Sequence, residues 1–227
     1  MINVVCVLKT GGDFDRRWVH ALDQSVWDKV TEPHRFWCLT DDAYLLSQQL
    51  VGIRAIPLTK GWPGWWSKIE MFRPDLFSEG EPVLFFDLDT VILRDITHLA
   101  GAIDTDLVLL RDFYRLKTAW GTGVMGWTAG RFTSIYEGFK ADVRGYTRRF
   151  RSDQHFIQWL LTGCNEIRFW QDEFPGHLAS YKIHCMERVP ADTHVVCFHG
   201  KPRPTEVNAA WMDAWPFKRD PVLTQTQ

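Results

Sequence analysis

Apolar residues along this chain fall into short runs, each stopped by glycine, proline or a polar cluster. Ile2-Asn3-Val4-Val5-Cys6-Val7-Leu8 predicts a first strand over 2–8, broken by Thr10-Gly11-Gly12. Trp18, Leu22, Val26 and Val30 recur at every fourth position, the spacing of an amphipathic helix. Strands are predicted at 35–39 and 52–57, with a short helix over 42–50 between them. A tryptophan-rich loop then leads into a helix over 66–73, which Pro74 ends. Further strands are predicted through Pro82–Phe86 and over 106–110, 123–127 and 195–198, with helices over 129–140 and 152–162. The polar tail beyond Asp220, residues 220–227, is expected to fray.

Strands alternating with helices imply an α/β fold: a Rossmann-like, mostly parallel sheet covered by helices on both faces. With 227 residues, one domain over 1–219 is expected rather than two. Ligands of such sheets bind beyond the carboxyl ends of the strands. Thr10, Asp41, Asp87, Asp89 and His199 all fall at predicted strand ends.

Composition narrows the class. Hydrophobic residues make up 45% and charged residues 24%, as in a soluble globular protein. A net charge of −2 argues against a broad nucleic-acid-binding surface. No apolar run approaches a membrane span, and the N-terminus lacks the pattern of a signal peptide. The five cysteines are odd in number and form no Cys-x-x-Cys, so reduced thiols and a cytoplasmic location are the expectation. Of twelve tryptophans, those in Gly61-Trp62-Pro63-Gly64-Trp65-Trp66 are bracketed by loop formers. They suit either stacking on a sugar or base, or capping the core from above.

The most informative stretch is Pro82-Val83-Leu84-Phe85-Phe86-Asp87-Leu88-Asp89-Thr90-Val91. A buried strand runs into two carboxylates one residue apart. Such a pair repels itself and attracts a hard cation, Mg²⁺ or Mn²⁺, which commonly bridges carboxylates to phosphates. A solvated strand-end turn is the bland alternative. Far along the chain, Phe198-His199-Gly200-Lys201-Pro202 offers an imidazole, a glycine that lets backbone approach a ligand, and a point charge suited to phosphate. Asp87, Asp89 and His199 would fill half of an octahedral site.

In order along the chain, these segments resemble glycosyltransferase family eight, the GT-A-fold group that includes glycogenin-like and lipopolysaccharide galactosyltransferase-like enzymes. The resemblance spans roughly residues 1–205. Val7-Leu8-Lys9-Thr10 is similar to the family's first nucleotide-contacting strand end, and Ser67-Lys68-Ile69-Glu70-Met71-Phe72 to its basic helix ahead of the acidic motif. Phe86-Asp87-Leu88-Asp89-Thr90-Val91 matches the metal-binding Asp-x-Asp. Arg111-Asp112 stands where the family has an acid near the donor sugar. Gly121-Thr122-Gly123-Val124-Met125 resembles its Asn-Ser-Gly-Val segment, and Ser152-Asp153-Gln154-His155 its Asp-Gln pair. Two departures are visible: Gly121 replaces the usual Asn, and His199 and Lys201 are closer together than in the family's His-x-x-Gly-x-x-Lys-Pro.

The resemblance implies a metal-dependent, retaining transferase of hexosyl type. Its donor would be a nucleotide-sugar, with uridine diphosphate expected. Its acceptor would be a glycan, a lipid-linked glycan or a small molecule. Asp87, Asp89 and His199 would hold Mn²⁺ or Mg²⁺. Leu8, Thr10, Asp41, Lys68, Leu88, Gly123, Gly200 and Lys201 would line the donor, and Asp112, Asp153 and Gln154 would act at the sugar. Asp41 suits a helix cap equally well, and Asp153, with Ser152 as cap, suits a helix N-terminus. Two other classes compete: a haloacid-dehalogenase-like phosphatase with Asp87 as nucleophile, and a non-catalytic nucleotide-sugar-binding protein.

Overall fold

Alternate residues of the first strand face opposite cores, as a strand buried on both faces requires. In β1 (Ile2–Leu8), Val4, Cys6 and Leu8 join one apolar cluster while Val5 joins another. The computed structural model describes residues 1–47 and 52–219. The predicted 42–50 helix appears as α2 (Ala43–Ser47), its remainder lying outside the described residues, as does the 220–227 tail.

Among the described residues the main sheet has seven strands. β2 (His34–Thr40) and β3 (Ile53–Pro57) extend it on one side of β1. On the other side lie β4 (Pro82–Phe86), the strand that precedes the acid pair, and three later strands. Those are β6 (Leu107–Arg111), β7 (Trp120–Thr128) and β8 (Ile167–Phe169), and the full order is β3-β2-β1-β4-β7-β6-β8. β7 is antiparallel to both β4 and β6, so one reversed strand sits in an otherwise parallel sheet.

One face carries α1 (Arg16–Lys29), where Asp15 caps the start by accepting from the Arg17 amide. The other face carries α4 (Thr133–Ala141) and α6 (Asp153–Leu160), with α5 (Val143–Arg149) beside them. Short helices α3 (Thr97–Gly101), α7 (Trp170–Glu173) and α8 (Pro216–Arg219) complete the chain.

Several expectations are corrected. The 66–73 helix is a run of 3₁₀ turns, Gly64–Phe72. The last predicted strand does not join the main sheet. As β10 (Val195–Cys197) it pairs antiparallel with β5 (Thr90–Ile92) and parallel with β9 (Leu178–Ser180), forming a second, three-stranded sheet. β5, β8 and β9 were not predicted; each has only three residues, too few to show a period.

This second sheet explains the acid pair. The chain leaves the main sheet at Phe86 and enters the small one at Thr90, so Asp87-Leu88-Asp89 is the hinge between them. The Asp87 amide donates to the Gly123 carbonyl at 2.8 Å, and the Thr90 amide to the Asp87 carbonyl at 3.0 Å. The first bond ties the hinge to β7 and the second closes its own turn, which fixes the backbone around the carboxylates.

Candidate functional site

The carboxyl ends of β1 and β4, the start of α6 and the end of the small sheet enclose a cleft of about 560 Å³. That volume suits a small-molecule ligand. Its lining includes Lys9, Trp65, Lys68, Asp87, Leu88, Asp89, Asp153, Gln154, His199, Gly200 and Arg203. A groove of about 660 Å³ at the opposite sheet edge is larger, but its lining offers only one carboxylate, Glu32.

Lys68, half-buried, is the hub of the cleft. Its Nζ lies 3.1 Å from Asp87 Oδ1 and 3.3 Å from Asp153 Oδ2, and Asp153 also accepts from the Thr122 hydroxyl at 2.8 Å. Burial alone would lower the Lys68 pKa, yet Asp153 and Asp87 outweigh it and hold the ammonium charged. Asp87 is raised by burial and by Asp153, against the pull of Lys68. Asp89 is pushed up to about 7 by burial and by Asp87, although the Arg203 guanidinium bonds it. The acid pair is therefore short of positive charge. Gly123 packs close by: a Cβ there would meet Asp87 Oδ2 at 3.3 Å.

Arg203 bridges Asp89 and Asp13, the latter at 2.9 Å, and lies over the Phe14 ring. Sequence reasoning missed it. The basic residue nearest His199 in the motif, Lys201, is 73% exposed, pairs with Glu206 at 3.0 Å and does not line the cleft. A count of cations within the whole 198–206 loop, rather than the motif alone, would have included Arg203.

The other predicted residues separate. Gly200, at φ +75°, lines the cleft with Leu88 and Gln154. Leu8 is buried in the core beneath. Asp41 accepts from the Thr10 amide at 2.8 Å and from Lys9, tying the ends of β1 and β2 together beside the cleft. The cap of α2 is its neighbour Asp42, which accepts from the Tyr44 and Leu45 amides. Asp112 closes its own turn, accepting from the Tyr114 and Arg115 amides and the Arg115 side chain, outside the cleft lining. Ser152 gives no side-chain cap; its hydroxyl pairs with His155 Nδ1 at 2.8 Å. Of the loop tryptophans, Trp62 and Trp66 pack on Phe139 as core, while Trp65 is 56% exposed and lines the cleft.

His199 enters the cleft from the end of β10, with Nε2 2.7 Å from the Ser180 hydroxyl and its ring against Phe113 and Tyr114. Burial and the Lys182 ammonium lower its pKa, which favours the neutral imidazole a metal needs. The ligand atoms of Asp87, Asp89 and His199 do not all lie within 4.8 Å of one another. Even so, the donor set fits a hard divalent ion: two carboxylates with raised pKa values relieve their repulsion by sharing a cation.

No protein-family model and no curated protein sequence matches the chain. Solved structures do. The glycosyltransferase GlyE of Streptococcus pneumoniae TIGR4 superposes with a TM-score of 0.64 at 14% identity, covering 90% of this chain; the chain spans just over half of GlyE, 56%. An active-site mutant of LgtC superposes with a TM-score of 0.66 at 14% identity, covering 98% of this chain and 95% of LgtC. The galactosyltransferase LgtC in complex with donor and acceptor sugar analogues gives 0.62 at 14% identity, over 96% and 93%. The fold is thus shared, nearly end to end, with solved glycosyltransferases of GT-A type.

Proposed function

We propose that the chain is a glycosyltransferase that takes a sugar, with retention of configuration, from a uridine-diphosphate-type nucleotide-sugar. One observation carries the reading: in a fold shared with glycosyltransferases, the hinge acids Asp87 and Asp89 meet Lys68, Asp153 and Arg203 in one cleft at the carboxyl edge of the sheet. Asp87, Asp89 and His199 would hold Mn²⁺ or Mg²⁺, which supplies Lewis-acid charge to a leaving diphosphate when bound. Arg203 provides a second positive group, its Nε buried and without a partner. Lys68 orients Asp87 and Asp153 by pairing with both carboxylates. Asp153 and Gln154, at the first turn of α6, take the sugar, and Trp65 offers a stacking face at the cleft mouth.

In a retaining transfer the acceptor oxygen bonds the anomeric carbon as the bond to the diphosphate oxygen breaks, both on one face. The acceptor proton passes to the diphosphate. No dedicated base is required, and Asp112, turned into its own loop, is left out of the sugar set. The acceptor is a glycan, a lipid-linked glycan or a small molecule.

A thermal-shift screen of nucleotide-sugars with and without Mn²⁺ tests this. A donor that raises Tm only with Mn²⁺ is expected, since a ligand selective for the native state stabilises it. Binding of a donor without any turnover would favour the non-catalytic reading. Binding of none would remove the proposal.

A further inference from the structure

Three histidines meet at the end of the small sheet away from the cleft. His98 lies in α3, His177 directly precedes β9, and His194 directly precedes β10. Among the described residues they are the one group of three His, Cys, Asp or Glu whose ligand atoms all lie within 4.8 Å of one another. All three are half-buried. We propose that His98, His177 and His194 form a transition-metal site, taking Zn²⁺, that staples the far end of this sheet.

The three rings are close enough for an ion to gather them, although the His177 and His194 rings stack in parallel at 4.3 Å and 7°, so one of them must turn for both lone pairs to converge. His98 Nε2 and His177 Nδ1 face each other at 2.9 Å, sharing one proton between two lone pairs. Two imidazoles on a tetrahedral Zn²⁺, with Zn–N of about 2.0–2.1 Å, hold their nitrogens about 3.3 Å apart. The ion would replace that proton once the two nitrogens separate by a few tenths of an ångström and both rings turn their lone pairs toward it. His194 Nδ1 meets the Asp95 carbonyl, which accepts only, so Nδ1 carries the proton and Nε2 carries the free lone pair. A ligating histidine commonly has its other nitrogen anchored in this way.

Surroundings agree. Burial and the two neighbouring rings push His98 down to about 4, and burial and His194 lower His177, so both are unprotonated lone-pair donors at neutral pH. Phe174 packs edge-on to His98 at 4.7 Å and stacks on His177 at 5.7 Å, giving one apolar wall. The Asp95 and Asp192 carboxylates act on His98 and His177 respectively, placing compensating negative charge nearby. Imidazole-only ligation favours Zn²⁺ or Cu²⁺ over Mg²⁺ and Ca²⁺. A water completes four-coordination.

The backbone at the cluster is already tied. The His177 carbonyl accepts from the His194 and Val195 amides at 2.8 and 3.0 Å, and the His194 carbonyl from Leu93 at 2.7 Å. Each strand of the small sheet has only three residues, and the same strands carry Asp89, Ser180 and His199 at or next to their other ends. An ion at the histidines would fix the strands whose opposite ends shape the cleft.

Full-length protein, stripped with a chelator, is titrated with Co²⁺ followed by visible absorption and with Zn²⁺ followed by calorimetry. One ion with the ligand-field bands of a four-coordinate centre is expected for the parent and equally for Asp89→Ala, which lacks the donor-site acid. His98→Ala and His194→Gln, checked for folding by circular dichroism, should each weaken Zn²⁺ by more than about a hundredfold, beyond the span of a merely supporting residue. His194→Gln keeps a donor toward Asp95 and so carries the test if His98→Ala does not fold. A parent without those bands, or variants that bind as the parent does, would show a stacked ring cluster and overturn the site.

Discussion

Lys68→Met removes the one ammonium between Asp87 and Asp153 while nearly keeping the side-chain volume. The lysine is 13% exposed and Asp153 only 5%, so two carboxylates would be left without their compensating charge. Breaking a buried pair by removing one partner costs about 3–5 kcal/mol. Asp87 is 33% exposed, and solvent screens part of its charge, which favours the low end, about 3 kcal/mol. Against a typical stability of about 5–15 kcal/mol, this is a large fraction. The loss depends on pH with a definite sign. Asp87 already sits above its ordinary pKa, and losing Lys68 raises it further. An acid with a raised folded-state pKa favours the fold when protonated, so the variant recovers as pH falls. Urea unfolding at pH 8 and pH 5, without metal, measures both: a deficit of about 3 kcal/mol at pH 8 and a smaller one at pH 5 is expected. A deficit under about 1 kcal/mol at pH 8, or the same deficit at both, refutes the electrostatic account of the hub.

Three further outcomes are expected. Arg203→Ala should lower kcat/KM by about a hundredfold, as removal of a charge-stabilising donor does, while Lys201→Ala stays within about threefold; transfer assays on both decide which cation serves the diphosphate. Trp66→Ala, opening a hole beside Phe139, should cost about 3–5 kcal/mol in urea, whereas Trp65→Ala should leave stability within about 0.5 kcal/mol and raise KM. Asp23, raised to about 7 by burial alone, weakens the fold progressively as pH rises from its ordinary value toward 7. Asp23→Asn should therefore gain on the parent between pH 4 and pH 7, by on the order of 1–2 kcal/mol at pH 8 after allowance for partial exposure; a gain that shrinks with pH contradicts this.

Six of the seven main-sheet strands were legible because each has five residues or more, enough to show an apolar run and its termination; β8, with three, was not. The apolar run Val4-Val5-Cys6-Val7-Leu8, stopped by Thr10-Gly11-Gly12, and the abrupt Phe86-Asp87 boundary located β1, β4 and the hinge acids. The small sheet was not legible: Thr90–Ile92 and Leu178–Ser180 become strands only by pairing with β10, a long-range event without local signal. The loop beyond β10 turns Arg203 into the cleft and Lys201 out of it, and the motif alone singled out only Lys201. Lys68 was found from its place ahead of the acids, but its role as a hub needs Asp153, 85 positions later, and depends on how α6 docks. The 3₁₀ form of Gly64–Phe72 likewise escaped an apolar pattern that suits either helix.

The central claim is tested most directly by nucleotide-sugar turnover. Purified protein is incubated with uridine-diphosphate sugars and Mn²⁺, and release of the nucleotide is followed for the parent and for Asp89→Ala at matched folded fraction. The account predicts metal-dependent release by the parent and none above background from the variant. Equal release by both, or release unaffected by removing the metal, would contradict it.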